Sequence, residues 1–208
     1  MLGVFSSNIV SLPEELVAGG SRTPSPKTTT TALVKQFLQC NDSGVSIQIS
    51  NDVYLAYTDN SQSPLLPRTF GVKDEIFCML EGVLDNLGTP FPLNQVVGHL
   101  VGNFAFIVFD KSMFTIFVAS DQSGKVPLYW GITADGFLAF ADDAELLKGA
   151  CGKSLASFPQ GCFYSTAVGE LQSYENPKNK TTTVPAAEEE MWGATFKVEG
   201  PTVLAATE

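Results

Sequence analysis

Histidine is almost absent from this sequence, because His99 is the single one among 208 residues. A Ser-His-Asp or Cys-His mechanism would have to use that residue, and a metal site with two imidazole ligands is excluded. His99 lies in an amphipathic stretch after Val96 and Val97, where a solvent-facing side chain is the simplest interpretation. We therefore expect no metal ion, no cofactor and no catalytic histidine.

Basic side chains are also scarce. Lys and Arg total 12 against 22 Asp and Glu, which gives a formal net charge of -10. Nucleic acids and anionic lipid surfaces bind through clustered basic residues, so this balance argues against both as partners. No apolar run reaches the roughly 18 residues that a membrane-spanning helix needs. We expect neither nucleic-acid binding nor a membrane span.

Cysteines are few, with no CxxC pair and no spacing typical of a metal site. The first residues, Met1 to Phe5, lack the basic region of a secretory leader. We therefore expect reduced, mostly buried thiols in a protein of the cytoplasm, with the nucleus as a second location. The thiols are those of Cys40, Cys78, Cys151 and Cys162.

Apolar residues, in contrast, are plentiful. They make up 44% of the chain and include 15 Phe, so a packed core is expected. We predict a single domain over residues 1–208. It carries an exposed loop at residues 19–30, where Thr23 and Ser25 each precede a proline and the sequence leaves their phosphorylation open.

Alternation of apolar and polar residues predicts strands, mainly in hairpins, and two short helices. Strands outnumber helices, which favours an α+β fold with antiparallel sheets. The apolar run from Glu75 to Leu84 predicts a strand buried on both faces. The predicted helices are 31–39 and 144–148, and the other predicted strands are 45–50, 53–58, 102–110, 113–119, 127–131, 137–141 and 192–198, with a turn at Lys111-Ser112 and a hairpin over 162–174.

Two motifs suggest chemistry but have simpler interpretations. The segment Gly149 to Ser154 approaches a phosphate-binding loop, yet it has Leu147 where that pattern requires a glycine. We interpret Gly149 and Gly152 as a helix C-terminal stop. The adjacent carboxylates Asp142 and Asp143 could form an acid/base pair, but a helix N-cap is the better interpretation.

The most informative pattern is a set of ordered segments, Leu80–Asn86, Leu100–Asp110, Val118–Gly131 and Phe140-Ala141. They resemble the glutaminase domain of asparagine synthetase, a class II glutamine amidotransferase. Five more segments extend the pattern over most of the chain: Met1–Phe5, Ser21–Lys27, Phe158–Cys162, Tyr174–Lys180 and Gly193–Val198. With these, the chain resembles the plant stem-specific, aluminium-induced and auxin-repressed proteins, a family described by YGL and LRDR motifs. The resemblance implies an α+β fold of the N-terminal-nucleophile-hydrolase type, with layered antiparallel sheets flanked by helices.

The chain departs from that family at one place. Neither YGL nor LRDR occurs, and Leu87-Gly88 leads directly into Thr89-Pro90. The resemblance places one helical segment with both motifs here, so we expect an internal deletion at 88–89, from a short splice isoform or a gene-model artefact. Loss of this segment predicts an exposed apolar face on the strand from Phe77 to Leu84.

The resemblance also implies that the glutamine site is dismantled. In the amidotransferases the nucleophile is the cysteine exposed when the initiator Met is removed, and its α-amine is the base. That position holds Leu2 here, Glu81 stands in place of an asparagine that helps hold the oxyanion, and Asp59 in place of an arginine that binds the substrate carboxylate. The aspartate for the substrate amine falls in the missing segment. Gly82 and Asn86 are retained, as a remnant of the substrate pocket.

These inferences point to a catalytically inactive glutamine amidotransferase-like protein with no catalytic residues. It would act as a stress- or hormone-responsive binding or regulatory module. Exposed strand edges favour self-association as a homodimer, and a further protein partner is left open. One alternative is a glutamine amidohydrolase with an unorthodox nucleophile, freed for example by self-cleavage at Gly161-Cys162. The other is a truncated isoform that folds poorly.

Overall fold

A computed structural model describes residues 1–13, 16, 28–59, 69–86, 97–174, 181–185 and 194–198. Residues 19–27 of the predicted loop, with Thr23 and Ser25, lie outside this set, as does the predicted deletion at 88–89. Helices α1 (Thr30–Cys40) and α2 (Ala144–Cys151) agree with the two predicted helices, although α2 extends beyond its predicted end.

Strands account for most of the regular structure. In chain order they are β1 (Leu2–Ser6), β2 (Gly44–Ser50), β3 (Val53–Thr58), β4 (Phe70–Lys73), β5 (Ile76–Leu84), β6 (Gly102–Asp110), β7 (Thr115–Ser120), β8 (Tyr129–Ile132), β9 (Phe137–Ala141), β10 (Ala156–Ser157), β11 (Cys162–Ser165), β12 (Glu170–Ser173), β13 (Thr181–Pro185) and β14 (Ala194–Val198).

These strands form two sheets. The strand order is β13-β14-β10-β8-β9-β1-β3-β2 in the large sheet and β12-β11-β7-β6-β5-β4 in the small sheet. Neighbouring strands pair antiparallel except β10 and β14, which are parallel. This arrangement confirms the predicted α+β class with layered antiparallel sheets and flanking helices. It places β1, the start of the chain, between β9 and β3 in the middle of the large sheet.

The inner faces of the two sheets pack on each other through aromatic side chains. The ring of Phe5 lies 5.6 Å from that of Phe109 in the small sheet and 6.3 Å from that of Phe140 in the large sheet. Trp130 lies 5.7 Å from Tyr164 across the same interface. Tilted and edge-on ring pairs add about 0.5–1.5 kcal/mol each beyond their buried area. The interface between the sheets is therefore the main core of the protein.

Both helices cover the outer face of the large sheet. Leu33 and Phe37 of α1 and Leu147 of α2 pack with Leu2 and Val4 of β1 in a second buried cluster. Side chains alternate along β1, so these two residues face the helices while Met1 and Phe5 face the small sheet. Strand β1 is therefore buried on both faces.

The turn between β6 and β7 is longer than predicted. The sequence suggested a turn at Lys111-Ser112 and a strand from Met113, but β7 begins at Thr115. The carboxylate of Asp110 accepts hydrogen bonds from the backbone amides of Ser112 and Met113, at 2.9 and 3.2 Å. These bonds close a wider turn, which leaves the side chains of Met113 and Phe114 exposed.

The prediction that the strand over Glu75 to Leu84 is buried on both faces is wrong. In β5 only Met79 is buried, and Ile76 and Val83 are exposed. Among the described strands only β4 lies beyond β5 in the small sheet, so this strand is close to the edge. Its outer face is partly covered, since Leu80 and Leu84 pack against a cluster of Phe side chains on the neighbouring strands.

Candidate site at the head of β1

The first residue is buried between the two sheets. Its α-ammonium group donates a hydrogen bond of 2.6 Å to Asp142 Oδ2 and lies 3.6 Å from Glu81 Oε1. Asp142 directly follows β9 of the large sheet, and Glu81 lies on β5 of the small sheet. The site is therefore built where both sheets meet, from residues that are distant in sequence.

The electrostatics of Glu81 follow from this position. Burial raises the pKa of the Glu81 carboxyl, the nearby charge of Asp142 acts in the same direction, and the α-ammonium of Met1 opposes both. An ionised carboxylate only accepts hydrogen bonds, and it repels a developing oxyanion. In its ionised form Glu81 is suited to hold a cation and unsuited to stabilise an anionic intermediate.

Leu2, which occupies the predicted nucleophile position, carries no reactive atom. Leu2 is fully buried, and its side chain faces the helices and not the gap between the sheets. Gly3, the next residue toward the gap, is tightly enclosed, because an added Cβ would lie 3.1 Å from Ile107 Cδ1 and 3.3 Å from Met79 Cε. No thiol or hydroxyl occurs from Met1 to Phe5.

Gly82 and Asn86, the predicted pocket remnant, both have clear structural partners. Gly82 has φ +94°, and an added Cβ would lie only 2.0 Å from the backbone oxygen of Asn103. The Asn86 side chain donates to the backbone oxygen of His99 at 2.6 Å and accepts from the Val101 amide at 2.8 Å. These contacts hold the end of β5 against the chain entering β6, and a role in substrate binding stays a prediction.

A small cavity that the sequence did not suggest lies beside Gly82. Its volume is about 120 Å³, and its lining includes Ser120, Gly124, Val126 and Gln160. Val126 lines the cavity and also lies next to Gly82, since the Val126 Cγ2 atom is 2.8 Å from the position of an added Gly82 Cβ. Typical small-molecule pockets are about 300 Å³ or larger, so this cavity is small for a ligand.

Asp121 organises the loop that lines this cavity. Its buried carboxylate accepts from the amides of Phe104, Ser123 and Gly124, at distances of 3.0, 2.7 and 3.0 Å. These bonds provide hydrogen-bond partners for a polar side chain that is otherwise costly to bury. Asp121 therefore serves the fold.

Two further residues considered in the sequence analysis, Asp59 and His99, are both exposed. Asp59 is exposed just beyond β3, and its amide donates to the Ser43 oxygen at 2.9 Å. Because Ala56 pairs with Leu2, Asp59 lies at the same end of the large sheet as Met1. Its correspondence to a substrate-binding arginine stays a prediction. His99 ends a short 3-10 helix and is exposed, as predicted.

The capping predictions are confirmed in part. Asp143 caps α2, accepting from the Glu145 amide at 2.9 Å, whereas Asp142 binds the α-ammonium group. Gly152 ends α2 with φ 53°, and its amide donates to the Lys148 oxygen. Gly149 is not part of this stop, because it lies inside the helix.

The cysteines are all free thiols, but fewer are buried than predicted. Cys151 and Cys162 are buried, Cys78 is half-buried and Cys40 is exposed. Burial raises the pKa of the Cys78 thiol, which disfavours its reactive thiolate. Cys162 lies within β11 in the core between the sheets, which is a poor place for a bond that must be cleaved.

Within the described residues, no three His, Cys, Asp or Glu side chains are grouped so that they could hold a metal ion. Across the same part of the chain, no helix is long and apolar enough to cross a membrane.

Sequence similarity relates this chain to a stem-specific protein and to asparagine synthetases. Stem-specific protein TSJT1 of Nicotiana tabacum is 28% identical over 149 residues, which cover 57% of this chain and 99% of the relative. A probable glutamine-hydrolyzing asparagine synthetase of Dictyostelium discoideum is 36% identical over 84 residues, or 40% of this chain. The aligned part is only 15% of that relative's length. These matches relate the chain to the glutamine amidotransferase domain.

The family is shown by a sequence profile. The profile of the family described as aluminium induced protein matches residues 2–89 and 87–198, so the chain belongs to this family. Among solved structures, the glutamine phosphoribosylpyrophosphate amidotransferase of B. subtilis aligns with 83% of this chain and 48% of its own, with 12% identity and a TM-score of 0.48.

Proposed function

We propose that this protein is a glutamine amidotransferase-like protein without glutaminase activity, which acts as a self-associating binding or regulatory module. The observation that carries the proposal is the carboxylate of Glu81 at the head of β1, 3.6 Å from the α-ammonium group. A carboxylate there opposes the oxyanion through which amide hydrolysis proceeds. The lack of any thiol or hydroxyl from Met1 to Phe5 supports it further.

A role in stress or hormone responses belongs to the same proposal, with the cytoplasm or nucleus as the place of action. It is supported by family membership and by the similarity to a stem-specific protein. A homodimer is the partner state that we propose, because β2 and β4 are edge strands, each with one side that pairs with no strand in the described part of the chain.

The test is release of ammonia from L-glutamine by the purified full chain. We expect no release above a protein-free blank for the wild type and for Glu81→Asn, because removing the carboxylate does not supply a nucleophile. Ammonia release that Cys162→Ser abolishes would contradict the proposal and favour the unorthodox amidohydrolase. Cys151→Ser, which alters another buried thiol, is the matched control.

A further inference from the structure

Strand β2 is a sheet edge that lacks charge and proline, although its register against β3 shifts between Gln48 and Ser50. One side of it pairs with β3, and no described strand pairs with the other. Its seven residues, Gly44–Ser50, include no charged residue and no proline. Soluble proteins usually protect edge strands with charge, proline, short length or a β-bulge, and of these β2 has only the register shift near its end. The edge of the small sheet, β4, follows this rule with four residues that end in Lys73.

The side chains of β2 alternate between two environments. Ile47 pairs with Leu55 of the core between the sheets, so Val45 and Ile47 face the small sheet. Ile49, at the register shift, also packs against this core, and all three are half-buried. Ser46 and Gln48 face the other side and are exposed. This gives one apolar and one polar row along the same free edge.

We propose that β2 pairs antiparallel with β2 of a second copy of this chain, about a twofold axis at Ile47. In this register Val45 faces the partner's Ile49, and Ser46 faces the partner's Gln48. The order of apolar and polar residues around Ile47 is the same in both directions. Apolar side chains of one copy therefore lie opposite apolar side chains of the other, and polar side chains lie opposite polar ones. The two large sheets then form one continuous sheet with an isologous interface.

Charge and neighbouring side chains favour a second copy as the partner. Each chain carries a net charge of -10 but none on β2, so two copies approach with least repulsion along this edge. Leu38 of α1 is 37% exposed and lies beside the end of β2, with its Cδ2 atom 3.4 Å from an added Gly44 Cβ. Pairing brings a second chain next to this exposed side chain. Asp42 and Asp52 lie just beyond the two ends of β2, and antiparallel pairing brings the charged ends of the two copies closer, so added salt strengthens the dimer.

Sedimentation velocity over a concentration series tests this interface, with two double variants that differ at one position. Ser46→Lys/Gln48→Lys places lysine opposite lysine twice, and we expect a dissociation constant raised by roughly tenfold or more. Ser46→Lys/Gln48→Glu places lysine opposite glutamate, and we expect the dimer to be kept. Val72→Lys on the β4 edge is the control for added charge, and we expect no change. Thermal melts check that the variants, whose substituted positions are all exposed, stay folded.

The outcomes separate this inference from the proposal of self-association on which it rests. A wild type that sediments at 22.3 kDa at every concentration would overturn both. A dimer that persists in Ser46→Lys/Gln48→Lys, or that Val72→Lys dissolves, would leave self-association intact and overturn the β2 interface. None of these residues contacts the head of β1, so ammonia release reports separately on the lack of glutaminase activity.

Discussion

Asp135 shows how one residue joins distant parts of this fold. It lies in the turn between β8 and β9 and accepts from the Thr30 amide at the start of α1, at 3.0 and 3.1 Å. Thr29, the N-cap residue, makes no capping hydrogen bond with its own side chain. Burial opposes ionisation of Asp135, but hydrogen bonds from the Thr133 hydroxyl and the Thr30 amide outweigh it and hold its pKa below the ordinary value.

A stability prediction follows from that lowered pKa. The contribution of Asp135 is present above the unfolded carboxyl pKa and is lost as the pH falls through the lower folded pKa. We expect Asp135→Asn to lower the free energy of unfolding near neutral pH by about 1 kcal/mol, as for other lost caps. The difference in free energy of unfolding between wild type and variant should become smaller below about pH 4. Urea unfolding over a pH series measures the difference in free energy of unfolding and its pH dependence, with the exposed Asp42→Asn as control. A gap that does not vary with pH would contradict this role.

At the scale of elements, the β6–β7 turn holds a residue in an unfavourable conformation. Phe114 has φ 51° in the left-handed region, where side chains other than glycine are disfavoured by roughly 1–2 kcal/mol. The side chain is 52% exposed, so little packing is lost on truncation. We expect Phe114→Gly to raise the melting temperature by about 2 °C, after the entropic cost of glycine is subtracted. Met113→Gly, at the 70% exposed neighbour outside that region, should give no increase. Equal changes in melting temperature for the two variants would contradict backbone strain at Phe114.

Local patterns predicted most elements because their causes are local. The alternation from Val45 to Ser50 follows directly from one half-buried face, and β2 and β3 form as predicted. The start of β7 was missed because it depends on which amides the Asp110 carboxylate accepts from. The ion pair of Met1 with Asp142 spans 141 positions, and no local pattern contains such a contact. For the same reason the sequence found Glu81 only through a family resemblance.

At the scale of the whole molecule, the same two-sheet arrangement forms the core and positions the site. Two sheets share an aromatic core, the helices cover one outer face, and β1 carries the start of the chain into the middle. This is a position where a reactive residue would be enclosed and well oriented. Here it holds apolar residues, and the carboxylates of Glu81 and Asp142 lie beside the α-ammonium group.

The intact mass of this chain, expressed from Met1 and purified, tests that account most directly. We predict a mass of 22.3 kDa with Met1 retained, which leaves no nucleophile at the head of β1. A shorter mass whose new first residue is cysteine, serine or threonine would contradict it, because such a residue joins a nucleophile to a free α-amine base.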